Sequence, residues 1–183
     1  MPKILPRIRS GNLPARISRY EIVDPDEHGV LCVPGLPVDP VERRLAIRHF
    51  ISEAERKIAL MPPVDPVMRH HFSKGIYARE MFIPAGTVLT GKIHRHEHLN
   101  IISCGDISVL TEEGPRRIVA PYTVVSAPGT KRLGYAHADT VWTTIHATHE
   151  TDLELLEEEF ITQEYEPILV ERFTEDAICL GAQ

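Results

Sequence analysis

Between Gly86 and Gly105 the chain reads GTVLTGKIHRHEHLNIISCG, and the alternating His94, His96 and His98 make this its most chemically loaded segment. In an extended strand side chains two apart share a face, so Lys92, His94, His96, His98 and Asn100 line one side while Ile93 and Leu99 take the other. Neutral imidazoles gathered on one face offer lone pairs to a divalent metal; with cations beside them they become part of an anion site. A partly exposed polar strand face would show the same pattern. Other reactive residue types are less well placed. Cys104 sits in a turn beside Gly105 with no base partnered to it, so it does not read as a nucleophile. His70 and His71 are adjacent, and on a helix they would point about 100° apart, too far to serve one centre.

These residues need a β-scaffold to position them. From Tyr77 onward the pattern has period two, in YAREMFI, VLTGKI, HLNIIS, DISVLT, PRRIVA, YTVVSA, KRLGYAH and TVWTTIHATH. Turn signals separate the runs at Pro84-Ala85-Gly86, Cys104-Gly105-Asp106, Glu112-Glu113-Gly114, Pro128-Gly129 and Ala138-Asp139. About eight short strands at this spacing predict an antiparallel sandwich or barrel, with Tyr135 and Trp142 in its core or wall. Upstream, Asp39, Pro40 and Glu42 supply an N-cap, a first-turn proline and a capping-box acid. The helix they predict buries Val41, Leu45, Phe50, Ala54 and Ile58, exposes Arg43, Arg44, Arg48, Glu53 and Arg56, and stops at Met61-Pro62-Pro63. Asp65-Pro66 repeats the start signal and predicts a short second helix through His70 and His71. Downstream, Asp152 to Phe160 predicts a helix capped by Thr151 or Asp152, with Leu153, Leu156 and Phe160 as its stripe.

Four segments result: an extended proline-rich arm (1–38), a helical segment (39–75), the β-barrel (77–149), and an acidic C-terminal helix and tail (150–183). The arm holds Pro2, Pro6, Pro14, Pro25, Pro34 and Pro37, with room for short strands at Arg19–Val23 and Val30–Val33. Its apolar residues, among them Ile4, Leu5, Ile8, Tyr20 and Ile22, predict that it lies along its own domain or a partner subunit. The net charge of −6 hides an asymmetry: residues 1–19 carry five bases and no acid, whereas residues 150–176 carry eleven acids against Arg172 alone. Ends of opposite sign predict pairing within a chain or between neighbours, and with the barrel edges they predict a homo-oligomer. Five bases without interleaved aromatics, in an acidic chain, argue against nucleic acid. No apolar run approaches the roughly 20 residues needed to span a bilayer, and the first residues lack the apolar block of a signal peptide, so no membrane role and no secretion are expected. Cys32, Cys104 and Cys179 are odd in number and far apart, which excludes a disulfide framework and a thiolate zinc cluster and fits a reducing compartment.

The order of elements from Tyr77 to about His149 resembles the cupins, small jelly rolls of the double-stranded β-helix type. Their first motif is a glycine, five residues, His-any-His, three or four residues, a glutamate, six residues and a glycine. With Gly86 and Gly105 as its ends the spacing fits, placing the ligand positions on Lys92, His94 and His98. The second motif falls on Pro121, Ala127, Gly129, Arg132 and Ala136, so only the turn glycine is kept and the last metal histidine becomes Arg132. The resemblance therefore implies a mainly β fold: a cupin-type jelly-roll barrel with an extended N-terminal arm, one N-terminal helix pair and a C-terminal helix. Its usual metal site is not supported, because lysine and arginine are cationic donors without lone pairs to give. A shifted set remains open, drawn from His94, His96, His98 and His146, with His137 as a further candidate; it would take Zn, Fe, Mn or Ni. Without metal, Lys92, His94, His98 and Arg132 form a cationic pocket suited to a carboxylate or phosphate.

Three readings of function follow. The leading one is a scaffold or assembly protein with a degenerate pocket and no catalysis, whose arm clasps a neighbour or another assembly protein. The stretches HRHEHLNIIS and APYTVVSAPGTKRLGYAHADTVWTTIHATHETD are also similar to cupin-like proteins of tailed bacteriophages, which implies a virion-associated place beside a cytoplasmic one. The alternatives are a metal-dependent oxygenase, isomerase or lyase using Glu80 or Glu97 as base, and a small-molecule-binding cupin without chemistry.

Overall fold

The computed structural model describes residues 35–60 and 67–163. The expected arm strands, the Asp65-Pro66 start signal, the apolar tail beyond Gln163, Cys32 and Cys179 lie outside these residues.

Helix α1 spans Pro40–Ile58, and the Asp39 carboxylate accepts from the Val41 and Glu42 amides at 3.0 and 2.9 Å, as its N-cap position requires. Its buried face is Ile47, Phe50, Ile51, Ala54 and Ile58, packed on Leu110 and Leu133 of the β-domain. Burial of that size contributes about 1.5–3 kcal/mol per large side chain. The predicted stripe was correct for its second half only. Val41 and Leu45 are exposed because the first turns overhang the sheet, and Arg48, expected outside, is buried against Glu112 at 3.7 Å and the Gly129 carbonyl at 3.3 Å.

The predicted second helix is a strand. β1 (Val67–Ser73) pairs antiparallel with β2 (Ile76–Ile83), from Val67↔Phe82 to Ser73↔Ile76. Lys74 and Gly75 close the hairpin, with Gly75 at φ 76°. Phe72 stacks on Tyr77 at 5.2 Å and His70 bonds the Tyr77 hydroxyl at 2.7 Å; these cross-strand contacts outweigh a local helix signal.

The other strands are β3 (Val88–Thr90), β4 (Ile93–His94), β5 (His98–Cys104), β6 (Asp106–Thr111), β7 (Gly114–Val119), β8 (Tyr122–Ser126), β9 (Leu133–Ala136) and β10 (Thr140–Ala147). They form a five-stranded sheet in the order β1-β2-β10-β5-β8 and a four-stranded sheet in the order β3-β9-β6-β7. The chain crosses between the sheets at β2–β3, from β3 through β4 to β5, and at β5–β6, β7–β8, β8–β9 and β9–β10. Counting β4 and β5 as one strand broken at Arg95, His96 and Glu97, this is the expected jelly roll. Ile83, Leu89, Ile102, Ile107, Ile118 and Trp142 fill the space between the sheets. Gly105, φ 104°, turns β5 into β6 so tightly that a Cβ would lie 2.6 Å from the Asp139 carbonyl.

Helix α2 (Leu153–Phe160) starts on its predicted cap, Asp152, and buries Leu156 and Phe160, while Leu153 stays exposed. Unforeseen by the sequence reading, Ile161–Thr162 then forms β11, pairing with β4 through Ile161↔His94 and Thr162↔Ile93. Among the described residues no helix is long and apolar enough to cross a membrane.

Candidate functional site

Sheet register decides which side chains meet. In the five-stranded sheet Arg79, Thr144, Asn100 and Val124 stand opposite one another in a row across β2, β10, β5 and β8. The next row holds Tyr77 opposite His146, and His98 opposite Ser126; the row below holds Met81, Trp142, Ile102 and Tyr122. Thr144, Asn100, His98 and His146 are all buried, so these rows face the barrel interior.

His94, His98 and His146 meet there, each 5% exposed, with ring centroids 4.1 Å (His94–His98), 4.9 Å (His94–His146) and 5.1 Å (His98–His146) apart. His96 does not join them. The chain bends at Arg95–His96 instead of running straight, which leaves His96 exposed and edge-on to Phe160 at 6.2 Å. Phe160 itself stacks on His146 at 4.0 Å, capping the cluster from α2. His137 lies elsewhere, bonded to Ser108 at 2.7 Å and edge-on to Tyr135. Glu80 points outward to Arg69 at 3.2 Å, and Glu97 is exposed, so neither expected base lines the interior.

Burial is the main cause that lowers the imidazole pKa values, to about 2 for His94, about 4 for His98 and about 3 for His146. Arg79 adds to it for all three, Arg132 for His94 and His98, and neighbouring histidines for His94 and His146, while the His96 carbonyl partly offsets it at His98. All three are neutral at pH 7. The His96 carbonyl, 3.0 Å from His98 Nδ1, can only accept, so Nδ1 carries the proton and Nε2 is a bare lone pair. That Nε2 and His94 Nδ1 are buried without a hydrogen-bond partner.

The two cationic positions behave differently. Lys92 forms an ion pair with Glu157 of α2, at the barrel mouth. Arg132 lies deeper: its guanidinium donates to Ser126 Oγ and sits 6.0 Å over the Trp142 ring, and burial lowers its pKa. The Ser126 hydroxyl also accepts from Asn100 Nδ2 at 2.6 Å, while Asn100 Oδ1 accepts from Trp142 Nε1 at 2.8 Å and Thr144 Oγ1 at 3.0 Å. Lys92, His94, His98, Arg132 and Arg79 line one chamber of about 70 Å³. Arg79 is not among the residues the spacing singles out: its parity in YAREMFI is readable, but its register against Asn100 is not.

A divalent metal fits this donor set poorly. Lys92 and Arg132 stand where the resemblance placed two of four ligand positions, and neither offers a lone pair. Among the described residues no group of three His, Cys, Asp or Glu side chains is disposed to hold an ion.

No protein-family model matches the sequence, and no curated protein matches it. Solved structures similar to the chain include an acetylacetone dioxygenase from Acinetobacter johnsonii (15% identity, TM-score 0.39), where the match covers 45% of this chain and 59% of the dioxygenase. Another is KdgF from a Halomonas species (17%, TM-score 0.40, 49% and 87% covered). A third is an RmlC-like cupin family protein with a double-stranded β-helix fold from Methanocaldococcus jannaschii (14%, TM-score 0.39, 46% and 82% covered). Likeness at this level bears on neither activity nor ligand, and the jelly roll rests on strand order.

Proposed function

We propose that the barrel is a binding module for a small anion, a carboxylate or phosphate group held by Arg132 and Arg79 without a metal. One observation carries the reading: two guanidinium groups line a small chamber, and among the described residues neither has a carboxylate within ion-pairing distance. Glu112 and Glu113 act on Arg132 only from a distance, and burial still lowers its pKa; an anion in direct contact offsets that cost through charge-assisted hydrogen bonds. The neutral histidines keep the chamber from accumulating further positive charge. With pKa values this low they are weak bases, so the arrangement suits holding an anion better than moving a proton.

Calorimetric titration with acetate and inorganic phosphate tests this. Arg132→Gln is expected to weaken binding at least tenfold, and chelator treatment to leave it unchanged. Equal affinity in Arg132→Gln would overturn the assignment.

Assembly by self-association is a second reading, favoured by a different feature. β1 closes one end of its sheet with a partner on one side only among the described residues, and Val67 and Phe72 are exposed along it.

A further inference from the structure

The inner chamber, about 70 Å³, has room for an anionic group and little more. A second cavity of about 300 Å³ opens between β7 and β8, the end strands of the two sheets, and has the volume of a small-molecule pocket. Arg132, Trp142 and Val109 line both spaces and so form the partition between them. Ile118, Tyr122, Val124 and Trp142 give the outer cavity one apolar and aromatic wall, and Arg44, Glu112, Glu113 and Arg116 line its opposite, charged side. Ser126 lines it too, 2% exposed; its oxygen accepts from Asn100 and Arg132, and among the described residues nothing accepts its proton.

We infer that the ligand is a carboxylic acid with a compact apolar body, seated from the β7–β8 side. Its carboxylate takes hydrogen bonds from the Arg132 guanidinium and the Ser126 hydroxyl, while its body lies on the Trp142 face between Val124 and Ile118. This rests on the Arg132 part of the anion-binding reading, with Ser126 in the place of Arg79, which lines only the inner chamber, and adds the substrate class. A polar anion such as free phosphate would satisfy the partition and leave the apolar walls wet. A carboxylate on a ring or branched chain satisfies both.

Trp142 is the single tryptophan of the chain, so its fluorescence reports occupancy directly. The intact protein would be titrated with acetate, cyclohexanecarboxylate and cyclohexylmethanol, none of which absorbs with tryptophan, with calorimetry alongside. Cyclohexanecarboxylate is expected to bind at least tenfold more tightly than acetate, and than the uncharged alcohol. Val124→Phe, which fills the part of the outer cavity where the apolar body lies, is expected to abolish that preference and leave acetate binding intact; retained acetate binding shows that the variant is folded. Equal affinity for acetate and cyclohexanecarboxylate in the unmodified protein would overturn this inference and leave the anion reading standing. Absence of binding by any carboxylate would overturn this inference, and absence of phosphate binding as well would overturn both.

Discussion

At the scale of single residues, the three interior histidines have the sharpest consequence. Each is neutral in the fold, with a pKa of about 2 (His94), 4 (His98) or 3 (His146), and returns to the ordinary 6.5 when the chain unfolds. Above pH 6.5 neither state binds the proton and the cluster contributes nothing to pH dependence. Below it the unfolded chain takes up protons the fold refuses, so stability falls with pH until each folded pKa is passed. The slope is about 1.4 kcal/mol per group per pH unit, or roughly 4 kcal/mol for the three by pH 5.5. Urea denaturation at pH 7.5 and 5.5 checks this, with His146→Gln alongside because His146 makes no hydrogen bond that the change would break. The variant is expected to lose about 1.4 kcal/mol less than the parent over that interval; an equal loss would show that His146 is not held neutral. His94 and His98 were legible because their separation of four keeps them on one strand face. His96 has the same parity and still leaves, since alternation carries no information about a bend. Arg79 was illegible for the opposite reason: its own strand was clear, and only the partner register brings it to Asn100.

At the scale of elements, α2 and β11 close the barrel mouth. The Arg95 amide donates to the Phe160 carbonyl at 2.8 Å, the Arg95 guanidinium donates to the Ile161 carbonyl at 2.9 Å, and Lys92 pairs with Glu157. The packing and the ion pair are not equal partners. Phe160 is 5% exposed and stacked on His146, so Phe160→Ala is expected to cost about 3 kcal/mol in urea denaturation at pH 7.5. The Glu157 side chain is 43% exposed and solvent screens its charge, so Glu157→Gln is expected to cost under about 1 kcal/mol. A reversed order would mean that Lys92 and not Phe160 holds α2 down. The eight barrel strands and α2 could be read from sequence because period two and capping residues are local signals. β1 and β11 could not. MRHHF carries no clear alternation, Ile161–Thr162 is two residues long, and each is a strand only because β2 or β4 offers an unpaired edge beside it.

At the scale of the whole molecule, closing the barrel leaves two kinds of open edge, and the strand order keeps them apart. β8 borders the cleft where the ligand's body is placed, and β1 ends the same sheet four strands away, about 19 Å at ordinary strand spacing. Copies of net charge −6 repel at long range, so pairing along β1 would rest on edge hydrogen bonds and on Val67 and Phe72. Two copies joined β1 to β1 across a two-fold axis would bring Val67 and His71 of each against the other, both on the outer face and exposed. Replacing both residues with lysine sets like charges opposite each other across that axis. The double variant is expected to weaken the dimer at least tenfold in sedimentation velocity while leaving carboxylate affinity unchanged, because β1 and the cleft share no side chain. A parent protein that sediments as a monomer at tens of micromolar would remove the edge-pairing reading. A double variant that loses ligand affinity together with its dimer would instead make the pocket dependent on assembly, which the separation of β1 from β8 argues against.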